Sequence, residues 1–138
     1  MIIAIVSPST AVQDQYIKQV MDAGSGAYRF SVQGHHREIR CDVLLSTLRR
    51  DAKNTVITTL VPVTTSEEVQ AIRLMDGFVG HIYGVAHPSI LIERHDLILA
   101  SPASSRRSPR RDGHLSPSEL CAELRTRLLA HRDRFGRG

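Results

Sequence analysis

Residues 1–14 read MIIAIVSPSTAVQD, and the change of pattern inside them decides the fold class. Ile2 to Val6 is an unbroken apolar run, the form taken by a strand buried on both faces. Ser7-Pro8-Ser9-Thr10 interrupts it and offers hydroxyls able to cap a helix, at Ser9 or Thr10. A helix is predicted from Ala11 to Asp22, with Val12, Tyr16 and Val20 stacked at i, i+4 spacing. A doubly buried strand turning straight into a helix is the opening of a βαβ unit.

The same alternation continues outward from this stretch. Gly24-Ser25-Gly26 ends the first helix, and Tyr28 to Val32 predicts a short second strand. Ile39 to Asp51 predicts a helix with Leu44, Leu45 and Leu48 on one side. Thr55 to Val61 is rich in β-branched residues and is the plainest strand, which Pro62 closes or confines to a sheet edge. Thr65-Ser66-Glu67-Glu68 has the form of a capping box, followed by Val69, Ile72 and Met75 at helical spacing. Gly77 leads into a strand from Phe78 to Val85, and His95 to Ala100 predicts another. A loop from Ser101 to His114 precedes the last helix, which Ser116 caps, Pro117 opens and Glu119 completes as a second box. Leu120, Leu124 and Leu128 form its buried stripe, and residues 135–138 are expected to fray. The expectation is one three-layer α/β domain over 1–138, a mainly parallel sheet of about five strands with helices on both faces.

Composition agrees with a globular domain, at 41% hydrophobic and 23% charged residues. No apolar run approaches the roughly 18 residues that cross a membrane. Ile2 to Val6 is too short for a signal-peptide core and has no basic region before it, so a cytoplasmic protein without membrane contact is expected. Cys41 and Cys121 fall in predicted helices and read as small buried hydrophobes rather than a disulfide. Tyr28, Phe30, Phe78 and Tyr83 lie in strand-like segments and are expected in the core.

The first turn after a first parallel strand is where ligands enter such sheets. A helix N-terminus there presents free N–H groups to an anion, which singles out Ser7, Ser9, Thr10 and Gln13 as candidate ligand contacts. The net charge of +4 favours acidic partners. Arg106-Arg107-Ser108-Pro109-Arg110-Arg111 concentrates that charge in the 101–114 loop. Arg106, Arg107, Arg110 and Arg111 could grip phosphates or an acidic protein face. No aromatic residue lies among them, so nucleic acid would be held by its backbone and released by salt. His81, His87 and His95 match no familiar metal spacing, and His35-His36 is expected to be exposed. Glu67 and Glu68 are accounted for by their capping box, and no GxSxG or SxxK nucleophile motif is present. Neither a metal nor a cofactor is expected.

Three stretches carry a family resemblance. Met1 to Pro8 is similar to the opening strand and following turn of the P-loop nucleotide kinases. Val56-Ile57, then Glu68 to Arg73 and Gly77-Phe78-Val79, resemble their next core strand, acidic helix start and following strand. His95 to Leu99 with the capped terminal helix resembles their ending. The nearest likeness is to the deoxynucleoside monophosphate kinases of tailed phages, over about half of the chain. That resemblance implies a P-loop-kinase-like layout and a phage-encoded protein.

The departures from the family pattern fall at its chemistry. Ser7, Thr10 and Val12 stand where its loop has glycines, Gln13 at its lysine and Asp14 at its magnesium-bearing hydroxyl. Pro62-Val63-Thr64 stands where it has an acid and a base. Phosphoryl transfer needs charge stabilisation at these points. The expected function is therefore a non-catalytic, pseudoenzyme-like binding protein whose partner is a host or phage protein or a phosphate-bearing ligand. One alternative is an active nucleotide kinase with an unusual phosphate loop. Another is an oligomeric structural or assembly protein that associates through a sheet edge or the terminal helix.

Overall fold

The computed structural model describes residues 1–23, 26–84, 87–102 and 114–135, the last four by their backbone only. The basic contact loop with Arg106, Arg107, Arg110 and Arg111 lies outside the described residues, as do Gly24, Ser25, Val85 and residues 136–138. Helix α1 spans Thr10–Asp22, α2 Arg37–Leu48, α3 Ser66–Leu74 and α4 Leu120–Phe135. Strands β1 (Ile2–Val6), β2 (Ala27–Arg29), β3 (Thr58–Val63), β4 (Phe78–Ile82), β5 (Leu97–Leu99) and β6 (His114–Leu115) form one sheet. Its order is β2-β3-β1-β4-β5-β6, and every pairing is parallel. The expected three-layer α/β class is what the chain adopts.

Strand β1 is central, hydrogen-bonded to β3 on one side and β4 on the other, and all five of its residues are buried. Its alternate side chains serve two cores. Ile3 and Ile5 pack with Tyr16, Ile17 and Val20 of α1 and with Leu120, Leu124 and Leu128 of α4. Ile2, Ala4 and Val6 pack with Leu44 and Leu48 of α2 and with Val69 and Ile72 of α3. The helices divide this way because the chain steps from β1 out to β2 and then reverses direction. Right-handed crossovers in opposite directions put their helices on opposite faces. Tyr16 carries its hydroxyl into the first core, where it donates to the Leu115 carbonyl at 3.0 Å, and burial pushes its pKa well above the usual range.

Several boundaries and placements depart from the sequence expectation. Among the described residues the sheet has six strands rather than about five, because His114, expected as the end of a loop, and Leu115 pair with β5. The Ser116 box forms, its N–H bonding Glu119 Oε1 at 3.1 Å, but regular helix begins at Leu120. At its other end α4 runs through Phe135, where fraying was expected to begin. Tyr28 and Tyr83, expected in the core, are 59% and 46% exposed, Tyr28 on edge strand β2 and Tyr83 just past the end of β4.

Pro62 lies inside β3 rather than after it. Thr59 faces β1, its N–H donating to the Met1 carbonyl, whereas the Leu60 carbonyl faces β2 and accepts from Phe30. Pro62 shares the parity of Leu60 and stands beyond the last residue of β2. No ladder hydrogen bond is asked of its nitrogen there, so it occupies a local edge inside a central strand.

Helix α3 ends in a Schellman motif. The Gly77 N–H reaches the Ile72 carbonyl at 2.9 Å, and the Asp76 N–H reaches the Arg73 carbonyl at 3.0 Å. Asp76 holds the left-handed position at φ 59°, where glycine is the unstrained choice. A Cβ on the neighbouring Gly77 would meet Ile72 Cγ2 at 2.6 Å and its carbonyl at 2.9 Å. Asp76→Gly is expected to raise stability by about 0.5–1 kcal/mol, and Gly77→Ala to lower it by about 1–3 kcal/mol. Urea denaturation of the two variants checks both signs.

Candidate functional site

The C-terminal rim of the sheet differs on the two sides of β1. Towards β3 lies the crevice from which the chain departs to opposite faces, through α1 and through α3. Such a switch point is the usual ligand entrance. Ser9 caps α1, its hydroxyl accepting from the Val12 N–H at 3.3 Å, while Ser7 Oγ accepts the Ser9 N–H at 3.2 Å. Thr10 is exposed at the start of the helix.

Gln13, one turn further on, points down between the strands. Its Nε2 donates to the Ile5 carbonyl at 2.9 Å and the Val63 carbonyl at 2.6 Å. With 1% exposure and both amide hydrogens committed, Gln13 ties β1 to β3 instead of offering the ligand contact expected of it. Asp14 faces outward and pairs with Arg29 at 3.3 Å.

Glu68 secures the same side from the far flank of β3. The Thr65 hydroxyl accepts from the Glu68 N–H at 3.3 Å, as the capping box requires. The carboxylate turns back further than a standard box. Its Oε1 accepts from Gln33 Nε2 at 2.5 Å, and its Oε2 from the Thr65 hydroxyl at 2.5 Å and the Thr64 hydroxyl at 3.3 Å. These donors are neutral and Glu68 is 1% exposed, so the network locks the 31–33 segment to the start of α3. Glu67 stays at the surface opposite Arg37, where a backbone hydrogen bond holds it below the usual carboxylate range. Cys41 and Cys121 are free thiols, and burial, with the charges of Glu68 and Glu67, pushes Cys41 up and away from reactivity.

Towards β4 the rim is open. A cleft of about 340 Å3 lies over the ends of β1, β4, β5 and β6. One row of cross-strand partners, Val6, His81, Ile98 and His114, lines its floor. No helix covers this floor among the described residues of the connection from β4 to β5; a loop carrying Ile90 and Ile92 crosses there instead. Ser7 and Pro8 close one end of the cleft, and Tyr83 and His87 line it as well. The Tyr83 and His114 rings meet with centroids 4.7 Å apart.

His81 is held from behind. Asp96 Oδ2 receives His81 Nε2 at 2.7 Å, an Arg73 guanidinium nitrogen at 2.7 Å and the Glu93 N–H at 2.9 Å. Arg73 also pairs with Glu93 at 3.2 Å. A carboxylate that meets all three must accept, so Nε2 of His81 is the donor. Ser7, His81 and Asp96 share this region, but no hydrogen bond joins Ser7 to His81.

Of the expected contacts, the structure thus brings Ser7 to the cleft, leaves Ser9 and Thr10 on the first turn of α1, and buries Gln13. His81 and Asp96 were not singled out from sequence as a pair. The available signal was Asp96 immediately before a strand, with a histidine in the strand beside it. His87 spends Nδ1 on the Ser89 N–H at 3.0 Å, and His95 is exposed. Among the described residues no cluster of histidine, cysteine, aspartate or glutamate is arranged to hold a metal, and no helix is long and apolar enough to cross a membrane.

No protein-family model, curated protein or solved structure matches the chain. What the site can do is therefore read from its geometry.

Gln13→Ala would leave the Ile5 and Val63 carbonyls without their side-chain donor and open a void, costing about 2–4 kcal/mol. Asp96→Ala strips Arg73 and His81 of a shared partner, at about 2–3 kcal/mol, since Arg73 keeps Glu93. Thermal melts and denaturant titrations read both losses.

Proposed function

We propose that this chain is a non-catalytic binding protein built on a nucleotide-kinase-like scaffold. The observation that carries the reading is Gln13. A phosphate loop keeps the switch-point crevice open and places a lysine there to meet the anion. Here a neutral amide fills the crevice and bonds the two strand ends to each other. The Glu68 network supports the same conclusion, because a carboxylate spent on neighbouring hydroxyls and an amide is unavailable to a metal or a substrate hydroxyl.

Binding then falls to surfaces other than the crevice. The cleft beside β4 is one. The arginines at 106, 107, 110 and 111 supply a second, suited to an acidic protein face or a phosphate backbone.

Coupled assays with ATP and each deoxynucleoside monophosphate are expected to give no phosphoryl transfer, and measurable turnover overturns the reading. In thermal-shift experiments, ATP and GTP are expected to leave the melting temperature unchanged. A ligand present at 100 times its dissociation constant would add about 2.7 kcal/mol, well within reach of that measurement.

A further inference from the structure

We propose that the cleft over β4, β5 and β6 binds a small, neutral, flat aromatic molecule carrying one hydroxyl or N–H donor, which it gives to Nδ1 of His81. The proposal rests on the binding-protein reading and names the class of ligand.

The shape comes first. A volume of about 340 Å3 lies at the lower end of the range for small-molecule pockets, so one or two fused rings fill it. The floor row is continuous across four strands because Val6, His81, Ile98 and His114 are register partners on one face of the sheet, which gives a ring a surface to lie on. Ile90 walls one side, and the tilted Tyr83–His114 ring pair gives a further wall an aromatic edge.

The chemistry of the lining sets the charge. No lysine, arginine, aspartate or glutamate lines the cleft among the described residues. Against the described lining a phosphate or carboxylate would lose water without gaining a lysine or arginine, which favours a neutral ligand.

His81 sets the polar contact. Its Nε2–H is committed to Asp96, whose charge Arg73 already meets. In the neutral ring Nδ1 is then an acceptor. Nδ1 has no hydrogen-bond partner among the described residues, and the His81 ring lines the cleft. His81 as a whole is nearly buried, so its accessible edge is the one that lines the cleft. Asp96 holds the ring in orientation, as an acceptor fixed before the ligand arrives.

The test uses 1-naphthol and its methyl ether, 1-methoxynaphthalene, as probes. The chain contains no tryptophan, so the fluorescence of either probe reports directly on binding. Saturable binding of the naphthol is expected, with the ether at least about tenfold weaker for want of the donor. Ile98→Phe, which raises the floor without adding a tryptophan, is expected to weaken binding at least about tenfold. Should that variant fail to fold, histidine ring resonances of the unaltered chain decide. Naphthol should shift those of His81 and His114 and leave those of His35 and His36 in place. Absence of saturable binding, equal affinity for the two probes, or shifts confined to His35 and His36 would overturn the proposal. Nucleotide turnover would instead overturn the binding-protein reading, and the naphthol titration is independent of it.

Discussion

A five-residue strand without one polar side chain has to lose water on both faces, and its backbone must find hydrogen bonds on both edges. β1 meets all of these demands by sitting in the middle of the sheet, with β3 and β4 as neighbours and a pair of helices above and below. Burial of Ile2, Ile3, Ile5 and Val6, at about 1.5–3 kcal/mol for each side chain, is the largest local driving force this arrangement offers. The rest of the fold supplies what that strand lacks. The amine of Met1 extends the pattern, donating to the carbonyls of Asp51, Asn54 and Ile57 and so fastening the turn before β3 to the start of β1.

The rim of the sheet carries two solutions to one problem. Parallel strands end with carbonyls that need partners and with a crevice where the topology divides. On the β3 side these needs are met from within, by Gln13 across the strand ends and by Glu68 behind them. On the β4 side His81 is oriented through Nε2 and keeps Nδ1 unspent among the described residues. Asp96 secures His81 and, through Arg73, ties the 93–96 turn to α3. The filled crevice and the cleft thus lie on opposite sides of β1, the cleft one strand along from the switch point of the fold class.

Much of the layout was legible because it is local. The doubly apolar run of Ile2 to Val6, the Ser9 cap and the Thr65 and Ser116 boxes each announce an element within a few residues. What escaped depends on where other strands stop. Pro62 looks like a terminator until the end of β2 at Arg29 shows that no residue of that strand stands opposite it. His114–Leu115 is too short to register as a strand by pattern and exists only through its pairing with β5. The site was harder still. Position 13 reads as a polar residue in the first turns of a helix, and only its bonds to the ends of β1 and β3 show it to be buried. The floor row joins residues 6, 81, 98 and 114, which no spacing rule connects.

The order of strands in space also has a consequence in time. β1 precedes its partners in the chain, yet its hydrogen bonds go to β3 and β4, which lie more than fifty and seventy residues later. As the polypeptide leaves the ribosome, its most apolar stretch is made before either neighbour exists to cover it. Such pairings are slow because the intervening loop must be closed before any contact rewards it. Until Thr58 to Val63 has emerged, Ile2 to Val6 is a strand with two open edges, and one edge stays open until Phe78 to Ile82 follows, a form prone to associate with other chains. The residue run that makes the native fold secure is thus also the one that most needs shelter while the protein is being made.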